Sequence, residues 1–121
     1  MTEVLGFQVV VDCREPHTLA DWWAETLGWE VEPQDAGFIR SMVEQGFATE
    51  AETTTHRGNL VWATGAAINA PEGTTAPRLL FQHSAEEKAG KNRLHLDLRG
   101  FKHEQKTIEP SAPTTGGAPT R

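Results

Sequence analysis

Two neighbouring segments, Pro77-Arg-Leu-Leu-Phe-Gln82 and Lys91-Asn-Arg-Leu-His-Leu-Asp-Leu98, decide how this chain is expected to fold. They predict strands from Arg78 to His83 and from Asn92 to Arg99, separated by a charged loop. Side chains alternate along a strand, so His95 and Asp97 share one face of the second strand. A histidine in that position can line a pocket.

The N-terminal third predicts a β-α-β unit. A β-branched run between Gly6 and Asp12 is typical of a strand. Pro16 suits the first turn of a helix, the apolar residues that follow recur at helical spacing, and Gly28 ends the helix. A short second strand is then expected from Trp29 to Pro33.

The middle of the chain predicts a short helix that covers the sheet, a loop and a further strand. Apolar residues between Gly37 and Ala51 recur near a period of 3.6, which favours a short helix interrupted by a glycine. The polar stretch Thr53–Gly58 predicts a loop. Asn59–Thr64 and Ala66–Ile68 predict one strand with a bend at Gly65.

A length of 121 residues fits one domain. Residues 1–100 carry the predicted elements, whereas residues 101–121 are poor in core-forming side chains and predict a flexible polar tail. The lone Cys13 cannot form an intrachain disulfide, and we expect it to be a small buried residue rather than a nucleophile.

The net charge of -6 disfavours binding to nucleic acid or to an anionic membrane. The sequence contains no apolar run long enough to cross a bilayer and no secretory signal pattern. We therefore expect a cytoplasmic protein whose partners are small molecules or other proteins.

Four short motifs, taken in order and spacing, resemble the glyoxalase-like branch of the vicinal oxygen chelate superfamily, which includes glyoxalases, bleomycin resistance proteins and dioxygenases. The motifs are Val11-Asp-Cys13, Trp22-Trp-Ala-Glu-Thr-Leu-Gly-Trp29, Leu80-Phe-Gln82 and Lys91–Leu98. The resemblance implies an α+β fold in which paired βαβββ modules form a cupped mixed β-sheet, with flanking helices, around a cavity. Here it covers one module plus the first strand of a second.

The resemblance also implies where a metal would bind, because metal-using members take ligands from the first and fourth strands of each module. Those positions fall on Gln8, on Gln82 and, in the incomplete second module, on His95. We therefore consider a divalent ion (Ni, Zn, Mn or Fe) bound by His95 and Gln8. The usual acidic ligand of the fourth strand is absent, so His95 could instead line a pocket or serve a structural role.

Other residues near these strands could contact a ligand. Basic residues flank both strands and could hold an anionic group, although they could equally belong to a solvated loop. Trp62 could stack on a planar ligand, whereas we assign Trp22 and Trp23 to packing. The pocket candidates are Gln8, Gln82, His95, Arg93 and Trp62.

Three functions remain open. The first is binding of a small anionic or oxygen-rich metabolite, with metal-assisted lyase, isomerase or dioxygenase-type chemistry if the protein is an enzyme. The second is non-catalytic sequestration of a ligand, as in drug-resistance proteins, and the third is association alone. Because a single module leaves a sheet edge uncovered, we expect a homodimer, with truncation as the alternative. Neither His56-Arg57 nor His83-Ser84 indicates a catalytic triad, and no nucleotide-binding motif occurs.

Overall fold

The computed structural model describes residues 3–87, 89–101 and 104–108. It contains two α-helices, one short 3-10 helix and eight strands in these residues. The helices are α1 (Pro16–Leu27) and α2 (Ala36–Glu44), and the 3-10 turn is Glu50–Glu52. The strands are β1 (Val9–Cys13), β2 (Glu30–Val31), β3 (Thr53–His56), β4 (Asn59–Trp62), β5 (Gly65–Asn69), β6 (Leu79–His83), β7 (Leu96–Phe101) and β8 (Glu104–Ile108).

Four strands form a mixed sheet in the order β1-β6-β5-β2. β1 is parallel to β6, whereas β6 pairs with β5 and β5 with β2 in antiparallel fashion. Leaving aside α2, the 3-10 turn and the hairpin β3–β4, the elements run β1-α1-β2-β5-β6, which is the βαβββ order that the resemblance implies. The α+β fold class is therefore confirmed.

Helix α1 covers one face of this sheet. Pro16 occupies the first turn, and Gly28 ends the helix in the left-handed region at φ 74°, where a side chain would be strained. Trp23 of the helix and Phe81 of β6 are fully buried between the two layers. Since two aromatic side chains of this size remove several hundred Å² of surface from water, their burial accounts for a large share of the core.

The segment Thr53–His56, predicted as a loop, is a strand instead. β3 pairs with β4 across a two-residue turn in which Arg57 and Gly58 both have positive φ, 53° and 82°. Such turns match the twist of a hairpin, and threonine is a strong strand former. The strand predicted from residue 59 to residue 68 is accordingly two strands, β4 in the hairpin and β5 in the main sheet.

Helix α2 is shorter than the predicted span. Asp35 caps its N-terminus by accepting hydrogen bonds from the backbone N–H groups of Gly37 and Phe38 at 2.9 and 3.1 Å. The helix ends at Glu44, just before Gly46 adopts φ 83°. The predicted interruption at this glycine is confirmed, but only a 3-10 turn follows it.

Beyond the main sheet, β7 and β8 form a separate antiparallel pair. β7 begins at Leu96 rather than at the predicted Asn92, and Leu96 and Leu98 pack against the core. Glu104–Ile108 forms a strand inside the segment for which a flexible tail is predicted, and residues 109–121 lie outside the described part. In the described residues no helix is long and apolar enough to cross a membrane.

Candidate functional site

The face of the sheet opposite α1 carries two of the predicted site residues. Alternation along β1 places Gln8, Val10 and Asp12 on this face, because Val9 and Val11 pack toward the helix. On β6 the same face carries Leu80 and Gln82. We call this surface, with Arg78 and Glu32 at its edge, the sheet face.

Arg78 organises one end of the sheet face. Its Nε and Nη2 atoms donate to the two carboxylate oxygens of Glu32 at 2.9 and 2.7 Å, and its Nη1 donates to Oε1 of Gln8 at 2.8 Å. Asn69 donates a further hydrogen bond to Glu32 at 2.8 Å. These hydrogen bonds lower the pKa of Glu32 to about 2, and the carboxylate raises the pKa of Arg78. The guanidinium is therefore fixed in position and permanently charged.

Gln82 lies at the other end of the sheet face. It is exposed and stands opposite Asp12 in the β1–β6 register, whereas Gln8 precedes the Val9–Leu79 pair. Four residues separate the two amides along parallel strands, which corresponds to about 13 Å. Gln8 and Gln82 of one chain therefore cannot contact the same ion.

His95 and Arg93 are exposed and precede β7. Nε2 of His95 lies 3.8 Å from Oδ1 of Asp97. Because Leu96 and Leu98 pack toward the core, His95 and Asp97 lie on the opposite side of this strand. The roles assigned to His95 and Arg93 from the sequence remain predictions.

Trp62 belongs to a different part of the molecule. Its backbone N–H donates to Oε1 of Gln34 at 2.8 Å, and Nε2 of His17 lies 2.7 Å from its carbonyl oxygen. Gln34 in turn donates to the carbonyl of Gly65 at 2.9 Å. These bonds join α1, the β2–α2 connection and the β3–β4 hairpin around a cleft of about 350 Å³, which we call the helix-side cleft.

Polar side chains from α1 and the hairpin converge in the helix-side cleft. His17 and Asp21 are one helical turn apart on α1. Nε2 of His56 lies 2.6 Å from Oδ2 of Asp21, and Nε of Arg57 lies 3.1 Å from the same oxygen. The rings of His17 and His56 are 5.2 Å apart between centroids and tilted by 31°. The hairpin is thus tied to the helix by an ionisable cluster that the sequence did not reveal.

Two other chemical possibilities can be compared with the structure. Within the described residues, no three His, Cys, Asp or Glu side chains are grouped to hold a metal ion. Cys13 is half-buried, and desolvation raises the pKa of its thiol to about 11. A thiol held so strongly in its protonated form is a poor nucleophile at neutral pH.

Comparison with protein families gives one match, to the glyoxalase-like domain, over residues 8–117. Comparisons with curated proteins and with solved structures gave no match. The family match includes every element described above, from β1 to β8.

Proposed function

The chain belongs to the glyoxalase-like domain family, and we propose that it binds a small anionic or oxygen-rich metabolite on its sheet face. The observation that carries this proposal is the β1–β6 register. Val10 pairs with Leu80 at the centre of the face, between the Gln8–Arg78 end and the Asp12–Gln82 end. An apolar centre between a few fixed polar groups is the usual composition of a small-molecule site.

Arg78 is the group that would select an anion. A guanidinium has five N–H donors, and three of them are bonded to Glu32 and Gln8. Two donors therefore remain for a ligand carboxylate or phosphate. Since Glu32 already fixes the planar group, ligand binding would cost little additional side-chain ordering.

A second copy of the chain would complete the site. Val10, at the centre of the sheet face, is 46% exposed although its side chain is apolar. Pairing two sheet faces would bury this side chain and enclose a ligand between them. The homodimer is part of the proposal.

A metal-dependent form of this function needs more than one chain. Oε1 of Gln8 lies 2.8 Å from a guanidinium nitrogen, so a cation at Gln8 would face a fixed positive charge. Gln8 and His95 of one chain therefore do not fit a divalent ion by themselves. Lyase, isomerase or dioxygenase chemistry would require groups from the second copy, whereas sequestration of a ligand would not.

The proposal is tested by following thermal stability with a panel of small carboxylates, phosphates, thiol adducts and antibiotics. We expect at least one class to stabilise the wild-type protein, and Val10→Glu to abolish that stabilisation by placing a carboxylate at the centre of the face. Val4→Glu is the matched control, because Val4 is 95% exposed and precedes the sheet. Equal ligand responses in the two variants would refute the site.

Two further measurements test the homodimer and the metal. Light scattering at micromolar concentration should give the mass of two chains, and a monomer there would remove the paired arrangement. Titration with Ni, Zn, Mn and Fe should stabilise the wild-type protein more than His95→Ala if an ion is bound at His95. An equal response in both proteins would leave sequestration as the function.

A further inference from the structure

We infer that the helix-side cleft is a second binding site, in which His17 and His56 together bind one transition-metal ion of the Zn(II), Ni(II) or Cu(II) type. Neither histidine has a role in the sheet-face proposal. The inference rests on the hydrogen bonds of the two imidazoles, on the separation of their rings and on the composition of the cleft.

The hydrogen bonds determine which ring nitrogens are available. Nε2 of His17 contacts the carbonyl oxygen of Trp62, and Nε2 of His56 contacts the carboxylate of Asp21. A carbonyl and a carboxylate can only accept, so each Nε2 must carry the hydrogen. In the neutral imidazole, Nδ1 then holds a lone pair, and neither Nδ1 has a hydrogen-bond partner among the described residues.

These two contacts also match the environment of metal-binding histidines. A histidine that binds a metal through one ring nitrogen usually donates its other N–H to a carboxylate or a backbone carbonyl, which fixes the ring and makes the ligand more basic. Asp21 serves His56 in this way, and it is itself held by Arg57 at 3.1 Å. The backbone of Trp62 serves His17.

The separation of the rings suits one shared ion. With a metal–nitrogen distance of about 2.1 Å, each ring centroid lies roughly 3.2 Å from the ion, so two imidazoles at a tetrahedral angle have centroids about 5.3 Å apart. The observed distance between the centroids of His17 and His56 is 5.2 Å. No third ionisable side chain among the described residues completes the set, so water or a ligand oxygen would fill the remaining positions.

The rest of the cleft favours a cation over an anion. Its lining includes the carboxylate of Asp21 and the amide of Asn59, and the one arginine of the lining, Arg57, is already paired with Asp21. The whole chain has a net charge of -6. Imidazole ligands select zinc, copper and nickel rather than magnesium or calcium, which prefer oxygen.

The test uses the full chain without a histidine tag, freed of metal with EDTA and dialysed. Calorimetric titration with Cu(II), Ni(II) and Zn(II) should give one ion per chain, with the tightest binding for Cu(II) and no binding of Mg(II). We expect His17→Gln and His56→Gln each to weaken binding at least tenfold. Asp21→Asn should weaken it by roughly 10- to 100-fold, since it removes the charged group that orients His56.

One exposed histidine provides a matched control, because His83→Gln removes the same side chain outside both proposed sites. Unchanged affinity in His83→Gln supports the inference. Loss of binding in His95→Gln with retention in His17→Gln would assign the ion to the predicted position near the sheet face and overturn the inference. Retention of wild-type affinity in both cleft variants would overturn it as well.

If the two histidines have only a structural role, their variants would also be less stable. A loss of stability therefore does not distinguish a structural role from metal binding. Thermal unfolding in EDTA measures that role, whereas the metal-induced rise in Tm measures binding. Electron paramagnetic resonance of Cu(II) measures how many nitrogen atoms bind the ion, and this number does not depend on the stability of the fold. Coupling to two imidazole nitrogens is expected in the wild type and to one in His17→Gln, and identical spectra would refute shared binding.

Discussion

Replacing Glu32 with glutamine should lower the free energy of unfolding at neutral pH and remove a specific part of its pH dependence. In the native protein the bidentate pair with Arg78 and the bond from Asn69 lower the pKa of Glu32 from 4.5 to about 2. This lowering corresponds to about 3 kcal/mol as an upper limit. The Arg78 and Glu32 side chains are 37% and 38% exposed, so solvent screening reduces this to about 1 kcal/mol.

The sign of the pH dependence follows from the direction of this shift. A carboxylate with a lowered pKa stabilises the fold fully above pH 4.5, and its contribution is lost as the pH falls through about 2. The stability difference between the wild type and Glu32→Gln should therefore be constant above pH 4.5 and shrink toward zero below it. Glutamine does not titrate in this range, so other carboxylates cancel in the comparison.

Urea denaturation between pH 2 and pH 7 measures this difference, since urea, unlike guanidinium chloride, does not screen the ion pair. Glu30→Gln is the matched control, because Glu30 is exposed, lies two residues before Glu32 and has no ion pair among the described residues. Equal effects of the two substitutions, or a difference that does not change below pH 4.5, would refute the assigned role of the pair.

Three shorter predictions concern the core, a close backbone contact and the thiol. Phe81→Ala should cost about 3–5 kcal/mol in urea denaturation because Phe81 is fully buried, whereas Phe47→Ala, at 72% exposure, should cost little. Gly65→Ala should destabilise by about 1–3 kcal/mol because its Cβ would lie 2.9 Å from the carbonyl oxygen of Phe81, and Gly6→Ala, with open space around it, should not. Cys13 should react with Ellman's reagent about 100-fold more slowly in the native than in the urea-unfolded chain, because its pKa is about 11 rather than 9.0, and equal rates would contradict its burial.

Elements with strong local signals could be predicted from the sequence. Pro16 and Gly28 bracket α1, and the β-branched run before Cys13 forms β1, because each signal acts on the backbone within a few residues. The signal for β3 was ambiguous. Its threonines favour a strand by propensity, but a polar stretch is equally typical of a loop, and the pairing with the β4 backbone decides between the two.

The same distinction holds for the candidate sites: the position of a side chain on its own strand follows from neighbouring residues, whereas its partners come from distant parts of the sequence. Alternation along β1 predicts that Gln8 lies on the sheet face, but its partner Arg78 is 70 residues away in the sequence. The indole ring makes Trp62 a candidate for stacking on a ligand, whereas its backbone N–H and carbonyl make the contacts beside the helix-side cleft. A sequence pattern identifies side-chain types and cannot indicate which main-chain groups a fold will use.

The helix-side cleft had one local signal, the pair His17 and Asp21 at positions i and i+4 of a predicted helix. That spacing alone predicts only that two side chains share a helix face. The second imidazole comes from His56, which reaches Asp21 only because the segment assigned to a loop forms a hairpin against α1. The error in the secondary structure and the missed cluster therefore have a single cause.

The two proposed sites should bind ligands of opposite character, because they offer opposite hydrogen-bonding groups. Arg78 has two N–H donors available on the sheet face and therefore favours an anion. The helix-side cleft offers imidazole lone pairs and a carboxylate, which favour a cation. Since the deciding residues differ, removing metal with EDTA should leave anion binding unchanged, and Val10→Glu should leave metal affinity unchanged. Loss of both activities in either experiment would mean that the two faces of the sheet form one coupled site.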